Sequence, residues 1–191
     1  TVSGSIKTAG SSARGIYNLG DNNTTTVSGS ITTGGNNAYG IYNFGDDNKT
    51  TLSGSITTEG NYAYGIVNYG DSNTTTVSGS ITTGGSTASG IYNLEDSNVT
   101  TVSGSITTEG NNSHGIRNRG DDNVTTISGT VKATGASSAA LYNRRGDGNS
   151  FTLNEGATII GDILARDHTS NAYDATNSKL IFNLGASTSY A

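Results

Sequence analysis

Along TTTVSGSITT (residues 24–33) the apolar residues Val27 and Ile31 fall on one side of an extended chain, with Gly29 between them. Thr26, Ser28 and Ser30 fall on the other side. Period-two alternation with β-branched residues predicts strand, not helix. A second extended segment, AYGIYN (residues 38–43), follows in the same unit. Two turn-like clusters separate the segments, GGNN at 34–37 and GDDN at 45–48. Gly and Asn tolerate the left-handed backbone that such turns require, and they are expected to supply it here.

The whole pattern returns. T-[VLI]-S-G begins at Thr1, Thr26, Thr51, Thr76, Thr101 and Thr126, each 25 residues after the last. A unit of this length, with short strands and two or three corners, predicts one coil of a parallel β-solenoid. One coil cannot bury its apolar side alone. Stacking six places Val2, Val27, Leu52, Val77, Val102 and Ile127 in one interior ladder. Ile6, Ile31, Ile56, Ile81, Ile106 and Val131 make a second, and Ile16, Ile41, Ile66, Ile91, Ile116 and Leu141 a third. Asn18, Asn43, Asn68, Asn93, Asn118 and Asn143 form an amide column, and Asn23, Asn48, Asn73, Asn98 and Asn123 another. Stacked amides can hydrogen-bond up the axis, so both columns read as scaffold. After Asn143 the period breaks with an extra residue at Arg144-Arg145. Residues 1–150 are therefore expected to form regular coils. Residues 151–191 are expected to form irregular terminal coils of the same solenoid, with 166–178 a loop. About eight coils at ~4.8 Å would make a rod on the order of 35–40 Å long.

Composition narrows this picture. Only 31% of the 191 residues are hydrophobic, too few for an ordinary compact globule, but enough for a thin interior shared by every coil. Low hydrophobicity alone would suggest disorder, yet net charge is only -5 and the apolar residues are strictly placed. With no Cys there is no disulfide framework and no thiolate metal site. No run of 18 apolar residues is present to cross a membrane as a helix. The acidic balance argues against nucleic acid. The chain starts in mid-pattern at Thr1, which reads as an excised fragment.

Repeats of the type G-x-x-A-Y-G-I-Y-N-x-G-D-x-N-x-T-x-x-S-G-x-I resemble the passenger domains of Gram-negative autotransporters, proteins of type V secretion. LNEGATIIGDI near the end resembles the last part of such passengers. The resemblance covers nearly the whole chain. It implies a cell-surface or secreted protein on the outer-membrane side, an adhesin-like function, and a right-handed parallel β-helix in an all-β fold. The general right-handed crossover preference agrees on the hand. Passengers of this family include adhesins, self-associating factors, proteases and esterases, so the resemblance does not identify a ligand.

Catalytic chemistry would require residues that break the repeat. The two histidines do not supply it: His114 varies in a column with Arg14, Tyr39, Tyr64 and Ser89, expected at the surface, and His168 lies in the irregular segment. No G-x-S-x-G elbow or H-E-x-x-H is present. The expectation is a protein without enzymatic activity or cofactor. Asp21, Asp46, Asp71, Asp96, Asp121 and Asp147 stack in one turn column. They either bond backbone N–H groups of the turns or hold a calcium ladder. Tyr17, Tyr42, Val67, Tyr92, Arg117 and Tyr142 alternate with the inward Ile column and should face out. Leu19, Phe44, Tyr69, Leu94, Arg119 and Arg144 follow two positions later, either outward with them or partly tucked inward, and Arg14, Tyr39 and Tyr64 precede them. Tyr39, Tyr42, Phe44, Tyr64, Tyr69 and Tyr92, continuing into Arg117, Arg119, Arg144 and Arg145, make an aromatic stripe that becomes basic. It either braces neighbouring strands or contacts a sugar or protein, on a host or a neighbouring cell or on a second copy of the chain.

Three surface motifs complete the inventory. Arg119-Gly120-Asp121 and Arg145-Gly146-Asp147 resemble the integrin-recognition tripeptide, although Gly-Asp is already the turn in most coils. N-x-T sequons at Asn23, Asn48, Asn73, Asn98 and Asn123 read as glycan acceptors or simply as an Asn corner followed by a Thr strand. Outward Thr26 with Ser28, and Thr51 with Ser53, would form a flat hydroxyl array of the kind that can match ice. A pure spacer holding another module away from the cell is the remaining alternative to an adhesive scaffold.

Overall fold

A computed structural model describes residues 1–165 and 177–183. Among them there is no helix; the chain winds through three parallel sheets of seven strands each. The first sheet contains Thr24–Val27 and its equivalents, ending at Ser150–Asn154 and Lys179–Asn183. The second runs from Ser5–Thr8 through Ser30–Thr33 to Thr158–Ile160, and the third from Ile16–Asn18 through Ile41–Asn43 to Asp162–Ala165. The fold is a parallel β-solenoid of about seven turns, some 30 Å between terminal rungs at ~4.8 Å per step. Register is strict through the repeats: Thr25 pairs with Thr50, Ile31 with Ile56 and Ile41 with Ile66, always 25 residues apart. Most of the predicted 166–178 loop lies outside the described residues.

Each coil has three strands where the alternation alone suggested two. TTTVSGSITT is not continuous: the chain bends at Ser28-Gly29, so Val27 ends one sheet and Ile31 lies in the next. The reason is close approach. A Cβ on Gly79 would lie 1.9 Å from the carbonyl oxygen of Gly54 one coil below, and one on Gly54 would lie 1.8 Å from that of Gly29. Only glycine lets the bent backbones stack. The second segment is shorter than AYGIYN; its strand is Ile41–Asn43 in the regular coils.

The three predicted apolar ladders are inside, with Val27, Ile31, Leu52, Ile66, Val77, Ile91 and Ile116 all fully buried. The interior is nevertheless half polar. Thr50, Thr58, Asn68 and Asn73 are as buried as the isoleucines. Their hydrogen bonds explain why this is tolerable, since a buried polar group without a partner costs about 1–3 kcal/mol. Asn43 Nδ2 donates to Asn68 Oδ1 at 2.8 Å and to Thr50 Oγ1 at 3.1 Å, and Asn68 repeats both bonds to Asn93 and Thr75. The ladder loosens where the period breaks. Asn118 to Asn143 lengthens to 3.2 Å, and Thr125 Oγ1 has no partner among the described residues.

The corners correct the expectation about glycine. The left-handed positions are Ser12, Asn37, Tyr62, Thr87, Asn112 and Ser137 in one corner, and Asn22, Asp47, Ser72, Ser97 and Asp122 in the other, with φ between 52° and 59°. Corner glycines such as Gly35 and Gly85 are not left-handed. They are required by space: a Cβ on Gly85 would sit 1.9 Å from the Gly60 carbonyl oxygen. Gly84, its neighbour, is open, with nothing nearer than 3.9 Å, and Glu59 and Glu109 occupy the same position in other coils. Gly84→Ala is therefore expected to leave stability unchanged or raise it by up to ~1 kcal/mol. Gly85→Ala should cost ~1–3 kcal/mol or more, because backbone must move to admit one methyl. Urea denaturation of the two variants, one residue apart, checks both signs.

Candidate functional site

The third sheet carries the stripe on its outer face, and its strict register brings the side chains of successive coils into contact. Phe44 and Tyr69 stack with ring centroids 5.1 Å apart and planes 11° from parallel. Tyr17–Tyr42, Tyr39–Tyr42 and Tyr39–Tyr64 lie at 5.4–5.5 Å in tilted pairs. Where the central column narrows to Val67, rings close over the gap from both sides: Tyr42 meets Tyr69 at 6.1 Å and Tyr64 meets Tyr92 at 5.4 Å. The Arg14 guanidinium caps one end, 4.6 Å from both the Tyr17 and Tyr42 centroids, and Arg117 lies 4.4 Å over Tyr92 at the other. Offset and tilted ring pairs add about 0.5–1.5 kcal/mol each beyond the area they bury.

This packing divides the stripe. Tyr42 and Tyr92, expected to be outward contact residues, are only 9% exposed, and Arg117 8%. They do face away from the coil interior, but the flanking columns cover them, so they brace the sheet. The column that was open to a partial inward tuck is the more exposed one in its first three members, while Leu94 and Arg144 are half-buried. Leu19 is 64% exposed, Phe44 43% and Tyr69 40%, with Tyr17 at 46% beside them. Tyr39 and Tyr64 are half-buried between the two groups. Burial pushes the Tyr42 and Tyr64 hydroxyls up to about 12, against the weaker opposing pull of Arg14 and Arg117 respectively.

At the basic end Arg119 is exposed and Arg144 half-buried. The extra residue of the period break is absorbed by Arg145 at φ 92° and Gly146 at φ 86°. Arg119, Gly120 and Asp121 of one triplet and Arg145 and Gly146 of the other, on successive coils, line a shallow cavity of about 350 Å³ with Leu94 and Glu95. Burial raises the Glu95 carboxyl and Arg119 opposes it. Neither triplet protrudes. Gly146 is buried, with room for no Cβ within 2.1 Å of the Gly120 oxygen, and Asp121 Oδ1 accepts the Asp147 N–H at 2.9 Å.

The Asp and Asn turn columns are bonded within the stack. Asp21, Asp46, Asp71 and Asp96 each use Oδ1 to accept the amide of the Asp one coil on, at 2.7–2.9 Å. The turn reading of this column thus takes a specific form, between coils and not within one. No group of three or more His, Asp or Glu side chains is placed to hold a metal among the described residues. The sequon residues Asn48, Asn73, Asn98 and Asn123 are buried, and the side-chain amides of Asn48 and Asn73 bond the carbonyls of Gly45 and Gly70. They are closed to glycan transfer in the folded chain. Thr26 and Ser28 do not share a flat array, because Ser28 is in the bend between sheets. Regular outward hydroxyl pairs occur instead on the second sheet, at Ser30 with Thr32 and Ser55 with Thr57. His114 is not at the surface: it is buried against Tyr142, ring centroids 4.3 Å apart, and its Nδ1 accepts the Ala139 N–H at 3.0 Å. His168 lies outside the described residues.

The fold places this chain among the parallel β-solenoid repeat proteins. No known protein family matches it, and neither curated proteins nor solved structures return a match.

The raised tyrosines generate a test of the bracing role. An unfolded tyrosine ionises near 10, so the unfolded chain loses these protons first as pH rises. Stability from the protonated, buried rings is fully present below pH 10 and is lost between about pH 10 and 12. Ultraviolet titration should show a tyrosinate fraction appearing only near pH 12, together with a falling melting temperature from pH 10. Tyr42→Phe should blunt that fall. A simple titration of all tyrosines near pH 10 with intact structure would contradict the burial.

Proposed function

We propose that this chain is the adhesive shaft of a cell-surface protein of the autotransporter-passenger kind. It would bind through the exposed edge of the aromatic stripe. The observation that carries this reading is the exposed patch of Tyr17, Leu19, Phe44 and Tyr69, whose in-register columns and ring contacts hold it together on the outer side of the third sheet. The patch is backed by a rigid ring network, so ordering it on contact costs little side-chain entropy. Flat aromatic and aliphatic faces at fixed spacing suit sugar rings or the matching edge of a second copy. Each contact is weak, and a rod that presents several acts through multivalency.

The partner in this reading is a glycan or protein on a host or neighbouring cell, self-association between rods included. The basic end, Arg119 and Arg144, extends the surface towards acidic groups. The integrin reading of the triplets is less favoured, since both are flush with the corner and the Asp121 carboxylate is engaged by the next coil. The spacer reading gains from the covered Tyr42 and Tyr92, whose role is mechanical, but it leaves the exposed edge without a purpose.

Phe44→Ser combined with Tyr69→Ser tests the proposal. Both residues are exposed, so the fold should survive, with melting temperature shifted by only a few degrees. Signal on a glycan array, or self-association measured by sedimentation velocity, is expected to fall at least ~10-fold, the loss of about 1.4 kcal/mol that two stacked rings supply. Unchanged binding in the double variant would favour the spacer. Asp121→Glu with Asp147→Glu is expected to leave attachment of integrin-bearing cells unaltered; loss of attachment would move the site to the triplets.

A further inference from the structure

The seventh coil cuts one corner. In the sixth coil the chain takes seven residue steps from Lys132 to Ala139, by way of a corner at Thr134–Ser138. Their partners on the seventh coil are Ile160 and Asp162, two steps apart. Gly161 alone makes the connection, at φ 117°, with room for no side chain: a Cβ would lie 2.7 Å from the Ala133 oxygen. A register shift between Ala139 and Leu141 absorbs the mismatch.

Shortening the corner uncovers the one beneath it. In the lower coils the corner amide donates to a carbonyl of the coil above: Asn37 to Asn61, Tyr62 to Ser86, Thr87 to Asn111 and Asn112 to Ala136, at 2.9 Å each. Ser137 is the next member of that series, and its amide has no acceptor among the described residues. A notch of about 500 Å³ opens there, lined by Asn112, His114, Ser137, Tyr142, Asp162 and Leu164 among others.

Its chemistry is specific. His114 and Tyr142 supply a paired aromatic wall. Because Nδ1 of His114 accepts the Ala139 amide, a neutral ring carries its proton on Nε2. Asp162 is exposed, and its carboxylate meets no cation or donor among the described residues. The Ser137 amide and hydroxyl and the Asn112 side-chain amide add donors and acceptors to the lining. An apolar ring face flanked by a carboxylate, an amide and hydroxyls matches a pyranose ring, with its C–H faces and vicinal hydroxyls. The single carboxylate disfavours an anion.

We propose that this notch binds one residue of a neutral saccharide, with Asp162 accepting from ring hydroxyls and Tyr142 contacting the ring face. It is a site separate from the aromatic stripe and does not depend on it.

The test is titration of the isotopically labelled chain with the methyl glycosides of glucose, galactose and N-acetylglucosamine, followed by amide shifts. Glucuronate and glucosamine serve as charged comparators. At least one neutral glycoside is expected to shift Ser137, Tyr142 and Asp162, and glucuronate to bind more weakly. Asp162→Asn, exposed and harmless to the fold, should weaken binding at least ~10-fold, as for a hydrogen bond to a charged group. Tyr142→Ala should abolish it. Phe44→Ser with Tyr69→Ser should leave it unchanged, which separates failure here from failure of the stripe. The proposal is overturned if no neutral glycoside shifts these residues, if Asp162→Asn binds as well as the parent, or if only glucosamine binds.

Discussion

Everything in this molecule depends on the direct stacking of one coil's backbone on the next. Parallel strands at the ordinary sheet separation leave no freedom in the lateral position of a residue relative to its copy 25 positions away. At the bends and corners the backbones come closer than any side chain permits, as Gly54, Gly79 and Gly85 show. That approach dictates where glycine must stand. It also forces identical side chains into columns, so a favourable pair is repeated along the rod, and so is an unfavourable one.

The columns solve the problem of a chain with little apolar content. Three aliphatic ladders occupy only part of the interior, and the rest is filled by Thr and Asn side chains that satisfy one another up the axis. A half-polar interior of this kind is stable only while every rung supplies its partner. The looser Asn118–Asn143 step and the Thr125 hydroxyl, without a partner among the described residues, mark where the repeat ends. The same logic acts outside. Aromatic rings on the third sheet pack on each other because register places them in reach, and the flanking Leu19, Phe44 and Tyr69, with Tyr17 at the end of the central column, stay exposed. Irregularity is then a source of concavity: the notch beside Asp162 opens where one corner is cut short.

Much of this was legible from spacing. The 25-residue period specified the solenoid, the inward Val and Ile ladders and the structural Asn columns. The turn clusters at 34–37 and 45–48 were legible as corners, but glycine stands there because coils approach closely, as at Gly35, and not because the backbone is left-handed. The bend at Ser28-Gly29 was hidden because alternation continues across it. Exposure on the stripe could not be read either. Tyr42 and Phe44 are both outward by alternation, and which one is covered depends on how rings from the adjacent coils lean.

The sequence by itself determined the repeat, the all-β solenoid and the identity of each column, because a period with in-register copies leaves one stacking solution. The tertiary structure decided which outward residues remain accessible, which polar atoms inside find partners, and where a notch opens. Those depend on contacts between coils at distances of a few ångström, and no pattern along a single chain records them.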